Sequence, residues 1–135
     1  MKFAIRYYTQ TGNSKKLADA IASILNVEAK PVTEALEENT DMVFVCNSVY
    51  WAGMNKNVKS FVEANASKIG TLYNVSTAAI IESTYGQMKK VAKKYNVKLS
   101  EKEFHCRGKF TKLHSAHPNN DDLEALKKFV NEVIL

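Results

Sequence analysis

The run Tyr8-Thr9-Gln10-Thr11-Gly12-Asn13-Ser14 gathers hydroxyls and amides around one glycine, between a β-prone stretch and a helix-patterned one. The chemistry open to such a run is the holding of an anion. Where a strand turns into a helix, unpaired backbone N–H groups and the positive end of the helix dipole face the turn. The dipole alone gives ~0.3–1 kcal/mol when exposed and up to ~2 kcal/mol when partly buried. Thr9, Thr11, Asn13 and Ser14 add side-chain donors, and Gly12 lets the backbone close tightly around an oxygen. No lysine follows the glycine as in a nucleoside-triphosphate loop, and the spacing is not G-x-G-x-x-G, which weakens both of those readings. Lys15 and Lys16 fall in the first helical turn, the wrong end for cations unless an anion sits nearby. The competing reading is an ordinary capping turn with solvated lysines.

Two further loops carry unusual chemistry. Ser48-Val49-Tyr50-Trp51-Ala52-Gly53-Met54 holds the only tryptophan of the chain. Tyr50 and Trp51 offer aromatic faces to a planar ligand, and Ala52-Gly53 a pliant backbone at its edge. Otherwise the two aromatics cap the core. Ser83-Thr84-Tyr85-Gly86 offers a second aromatic face in Tyr85, which can instead cap the helix that follows.

These loops must be held by regular elements. Residues 2–8 are β-prone, and from Ser14 the period becomes helical, with Leu17, Ala18, Ile21, Ile24 and Leu25 on one face. A short edge strand fits Val27 to Val32, where Pro31 is tolerable. Met42 to Cys46 is a continuous apolar run, the pattern of a central strand covered on both sides. Val58, Phe61 and Val62 mark a second helix, Ser76 to Ile81 a fourth strand, and Met88, Val91, Ala92 and Tyr95 a further helix. A fifth strand is expected near Lys102–Cys106. The last helix carries Leu123, Leu126, Phe129, Val130 and Val133, with Asn120 as its expected N-cap. Between Val32 and Asp41 the chain has room for one or two helical turns. Strand and helix alternate about five times, which predicts an α/β doubly wound parallel sheet with helices on both faces. In such sheets ligands bind beyond the carboxyl ends of the strands, at the switch point between strands 1 and 3.

Thr9, Thr11, Gly12 and Ser14 match, position by position, the T-x-T-G-x-S/T loop of flavodoxins, and Asn13 fills its variable slot. The chain resembles a short-chain flavodoxin over nearly its whole length. That resemblance implies five parallel strands in the order 2-1-3-4-5 and FMN as the cofactor. It implies that Thr9, Gln10, Thr11, Gly12, Asn13 and Ser14 hold the phosphate. Tyr50, Trp51, Ala52 and Gly53 would form one wall of the ring site and Ser83, Thr84, Tyr85 and Gly86 the other. The Ala52–Gly53 peptide would turn its carbonyl to the protonated nitrogen of the half-reduced ring. The family has a glycine-rich acidic segment before its tyrosine, and this chain departs from that pattern.

The bulk properties fit that expectation. At 135 residues, 45% hydrophobic and 24% charged, the chain reads as one globular domain spanning residues 1–135. The charged N-terminus does not read as a secretory signal, and no apolar run reaches membrane-spanning length. Cys46 and Cys106 read as free thiols in a reducing compartment, so the cytoplasm is expected. His105, Cys106, His114 and His117 match no common zinc spacing. Cys106 has no identifiable base to make it a catalytic thiol. Phe104 to Phe110 resembles the fifth-strand region of some flavodoxin-domain proteins, which would set Arg107 or Lys109 near the site rim. The first strand offers Arg6, Tyr7 and Tyr8, and the third ends Cys46-Asn47-Ser48. The carboxylate cluster of a magnesium-dependent response regulator is therefore missing. The expected role is a monomeric electron carrier between a reductase and an acceptor, without nucleic acid or catalytic residues of its own. Carrier flavodoxins are usually acidic, so by that resemblance the +5 net charge implies either acidic partners or a changed role. A small NAD(P)H/quinone-type reductase and a flavin-free binding module of the same fold are the alternatives.

Overall fold

A computed structural model describes residues 1–9, 12–49, 54–78, 84–107 and 119–135. Strands β1 (Phe3–Tyr7), β2 (Ala29–Pro31), β3 (Thr40–Val49), β4 (Ile69–Ala78) and β5 (Phe104–Arg107) form one parallel sheet ordered β2-β1-β3-β4-β5. Four helices, α1 (Asn13–Leu25), α2 (Lys56–Asn65), α3 (Tyr85–Lys94) and α4 (Asn120–Ile134), join α/β units as the alternation predicts. A 3-10 turn at Ala66–Lys68 leads from α2 into β4.

Strand alternation sends side chains to two cores. Ile5, Phe44, Cys46 and Val75 bury against Leu17, Ala18 and Ile21 of α1 and Leu126 and Val130 of α4. Val43, Val45 and Leu72 bury against Val58, Phe61 and Val62 of α2 and Met88, Val91 and Ala92 of α3. Each large side chain removed from water contributes about 1.5–3 kcal/mol. Phe44 and Tyr73, paired across β3 and β4, stack with ring centroids 5.0 Å apart.

Four expectations are corrected. No helix fills the β2–β3 connection. Arg6, 5% exposed on β1, donates from Nε to the Glu34 carbonyl (2.9 Å) and from Nη2 to that of Ala35 (3.1 Å). A cationic fork thus satisfies the carbonyls that a helical turn would have satisfied internally. Asn65 Oδ1 accepts from the Leu36 N–H, closing the other side of this connection. Second, β4 begins at Ile69 and not at Ser76. Gly70 and Asn74 disguise it as a turn, yet a Cβ on Gly70 would lie 2.6 Å from the Asp41 carbonyl oxygen, so the close strand approach demands glycine. Third, β5 is Phe104–Arg107, two residues on from its expected start. Fourth, α4 is capped by Asn119 and not Asn120. Asn119 Oδ1 accepts from the Asp122 N–H and Asp122 Oδ2 from the Asn119 N–H, a reciprocal capping box.

Candidate ligand site at the carboxyl edge of the sheet

The loop from β1 into α1 is held by its own residues. Thr9 Oγ1 accepts the Gly12 N–H at 2.8 Å. Gly12 is the N-cap of α1 at φ 90°, a left-handed conformation that glycine adopts without strain. An added Cβ would meet nothing within 4 Å, so Gly12 is required here by its backbone angle and not by close approach. Gln10 and Thr11 lie outside the described residues.

The start of α1 is incomplete in a way that α4 is not. Its N-cap, Gly12, has no side chain to cap it and no acidic residue occupies its first turn, whereas α4 has both devices. Ser14, in that first turn, is 0% exposed and its Oγ has no hydrogen-bond partner. A buried hydroxyl left unpaired costs about 1–3 kcal/mol. Asn13 is 3% exposed beside it. A glycine N-cap, a positive dipole end and an orphaned hydroxyl together fit an anionic group with several acceptor oxygens.

Two residues that the sequence reading did not single out as binding groups extend this pattern. Ser48 and Thr77 are register partners near the ends of β3 and β4, both buried on the α1/α4 side, and both hydroxyls are unpaired. Continuing the β1–β3 register sets Ser48 level with Thr9. The available signal was a small hydroxyl residue at the carboxyl end of each central strand.

The opposite side of the same edge is a connected polar chain. Asn47 Nδ2 donates to Asn74 Oδ1 (2.9 Å) and to the Val45 carbonyl (3.1 Å). Asn74 Nδ2 donates to Thr84 Oγ1 at 2.9 Å, and the Thr84 N–H reaches Ser76 Oγ at 3.4 Å. All four residues are 0% exposed. Thr84 is the N-cap of α3, yet its hydroxyl is turned inward to Asn74 and does not cap the helix. This chain ties the ends of β3 and β4 to the start of α3.

Tyr85 and Gly86 open α3 and are not part of the preceding loop. The Tyr85 hydroxyl donates to the Ser100 carbonyl at 2.9 Å, and burial together with Glu101 and Glu103 raises its pKa. Tyr50, Trp51, Ala52, Gly53, Ser83, Lys109, His114 and His117 lie outside the described residues. Burial pushes the Cys106 thiol up to about 12 and the Cys46 thiol higher still, so both stay protonated at neutral pH. Among the described residues no group of three His, Cys, Asp or Glu is placed to hold a metal ion, and no helix is long and apolar enough to cross a membrane.

A family model of the flavodoxin domain matches residues 4–81, more than half of the chain. Among solved structures, the flavodoxin of Streptococcus pneumonia TIGR4 aligns with a TM-score of 0.68 at 16% identity, covering 98% of this chain and 97% of that one. A short-chain flavodoxin associated with a non-canonical PDU bacterial microcompartment aligns at 0.62 and 17% identity, covering 99% and 97%. The rubredoxin oxygen:oxidoreductase of Desulfovibrio gigas aligns at 0.61 and 13% identity, covering 96% of this chain but 34% of that one. Among curated proteins none matches the sequence.

Proposed function

This chain belongs to the flavodoxin-domain family, and from that premise we propose that it binds FMN noncovalently and carries electrons between a reductase and an acceptor. The observation that carries the reading is the start of α1, where a glycine N-cap and the orphaned Ser14 hydroxyl suit a phosphate. Thr9, Gln10, Thr11, Gly12, Asn13 and Ser14 would hold that phosphate, with Ser48 and Thr77 supplying hydroxyls on the same side of the sheet. Tyr50, Trp51, Ala52 and Gly53 would wall the ring on one side, and Ser83, Thr84, Tyr85 and Gly86 on the other. Hydroxyls and amides bind phosphate without adding positive charge beside a cofactor whose own charge changes. When bound, the flavin supplies the redox chemistry, and the protein contributes position, hydrogen bonds and local field. The proposed setting is a monomeric domain in the cytoplasm.

The test is fluorescence quenching of FMN titrated with the purified protein, with riboflavin, FAD and a Thr11→Ala/Ser14→Ala variant in parallel. Tight quenching of FMN that weakens without its phosphate, or without the two hydroxyls, is the expected result. FMN that stays fluorescent at micromolar protein would remove flavin from the function. Stepwise photoreduction of the complex then separates one-electron from two-electron transfer. NAD(P)H oxidation with a quinone, in the absence of a reductase, distinguishes a self-sufficient enzyme from a carrier.

A further inference from the structure

The positive charge of this protein is not spread evenly over its helices. On α2 and α3 stand Lys56, Lys59, Lys89, Lys90, Lys93 and Lys94, all exposed, with Glu63 as the one acidic side chain. Among the described residues none of these lysines makes an ion pair. On α1 and α4 the four lysines are outnumbered by Asp19, Asp121, Asp122, Glu124 and Glu132, and Lys15 is paired with Asp19 at 2.9 Å.

On α2 two of the lysines also stand where helix electrostatics opposes them. Lys56 and Lys59 occupy the first turn of α2, and neither α2 nor α3 has an acidic residue in its first turn. A helix optimised only for its own stability carries carboxylates there, as α4 does. The lysines at the positive end of α2, with the four along α3, make a positive field that an external anion would complement.

Between the two helices runs a groove of about 330 Å³ lined by Lys59, Gln87, Lys90, Val91, Lys94 and Tyr95. Its floor is the Val91 side chain and the half-buried Tyr95 ring, with Lys94 Nζ 5.4 Å from the ring centroid. Its rim is lysine. An apolar floor inside a charged rim is the anatomy of a protein interface. A membrane-binding face needs protruding apolar side chains, and the exposed large hydrophobics among the described residues are Met1 and Leu135, neither on this face. A nucleic-acid face gains from arginine forks and protruding aromatics. The rim here has no arginine, and Tyr95 is recessed beneath Lys94.

We infer that the α2–α3 face is the docking surface for an acidic protein, which seats an apolar side chain in the groove and sets its carboxylates against the lysine rim. Taking that protein as the electron-transfer partner rests on the proposed carrier function; the docking itself does not. The groove reaches the first turns of both helices at Lys59 and Gln87, the latter next in sequence to Tyr85 and Gly86 of the proposed ring wall, so a docked partner lies beside those two residues.

The test uses a glutamate-rich peptide carrying one leucine, titrated into isotopically labelled protein at low salt and followed by NMR. Amides of α2, α3 and Tyr95 are expected to shift, and affinity to fall with added salt. Lys90→Glu/Lys94→Glu should weaken binding about tenfold, while the charge-matched Lys127→Glu/Lys128→Glu should change it less than about twofold. Replacing the peptide's leucine by serine should weaken binding too. Equal losses in the two variants, shifts centred on α1 and α4, or tighter binding of duplex RNA or phosphatidylserine vesicles to the same face would each overturn the inference. An FMN titration of Lys90→Glu/Lys94→Glu reports separately on the flavin reading, since neither lysine belongs to the proposed flavin site.

Discussion

The two sides of the sheet treat buried hydroxyls in opposite ways at its carboxyl edge. On the α2/α3 side, Asn47, Asn74, Ser76 and Thr84 are joined into a chain of hydrogen bonds that pairs both hydroxyls and leaves Asn47 Oδ1 without a partner. On the α1/α4 side, Ser14, Ser48 and Thr77 are just as buried, but their hydroxyls have no protein partner. Burial alone therefore does not say what a polar residue is for. Paired groups hold the frame in place, and unpaired groups bear a cost of about 1–3 kcal/mol each that a bound ligand can return.

If that contrast is correct, removing a polar group should have opposite consequences on the two sides. The largest effect is expected for Asn74→Leu, which leaves Thr84 Oγ1 without a partner and Asn47 Nδ2 with only backbone carbonyls. Urea unfolding should show a loss of about 2–3 kcal/mol, with faster amide exchange at the start of α3. A loss below ~0.5 kcal/mol, within the range of ordinary surface changes, would mean that the chain of amides holds nothing. Next comes Ser14→Ala, expected to weaken FMN binding about 10- to 100-fold, because hydrogen bonds to charged groups are worth ~1.5–3 kcal/mol. Riboflavin binding should be unchanged and the ligand-free protein no less stable. A destabilised apoprotein would place Ser14 with the frame.

Thr77→Val sharpens the contrast further, since it keeps the shape of the side chain and deletes an unpaired hydroxyl. The ligand-free protein should be unchanged or up to ~1 kcal/mol more stable in urea, and any fall in FMN affinity would show whether the ligand reaches β4. The smallest effect concerns pH. The Cys106 thiol, about 12 in the folded chain against 9.0 ordinarily, keeps its proton longer when folded. Its contribution is complete below pH 9 and is lost as pH rises from there toward 12. Urea midpoints at rising alkaline pH should therefore fall less steeply in Cys106→Ala than in the unaltered protein.

The same contrast explains what the sequence could disclose. Strand order and helix placement were legible because Met42 to Cys46 is uninterrupted and the apolar positions of α1, α2, α3 and α4 repeat with helical period. The first half of β4 was not, because a strand with Gly70 and Asn74 reads as a turn until the neighbouring backbone and the Thr84 hydroxyl are in view. The proposed anion loop stands out by residue types, since donors and a glycine at a strand–helix junction are a local pattern. Ser48 and Thr77 do not, because an unpaired hydroxyl is a property of surroundings and not of spacing.

Arg6 has a consequence for how this sequence can drift. Its guanidinium grips main-chain carbonyls of Glu34 and Ala35, so what it recognises is present whatever amino acids stand there. Side chains at 33 and 35 should be interchangeable in a saturation mutagenesis library and those at 34 and 37 nearly so, their carboxylates only favouring the Arg6 charge, while position 6 should accept neither lysine nor methionine. Tolerance in this loop is thus set on a different strand, and one codon in β1 keeps a whole connection free to vary.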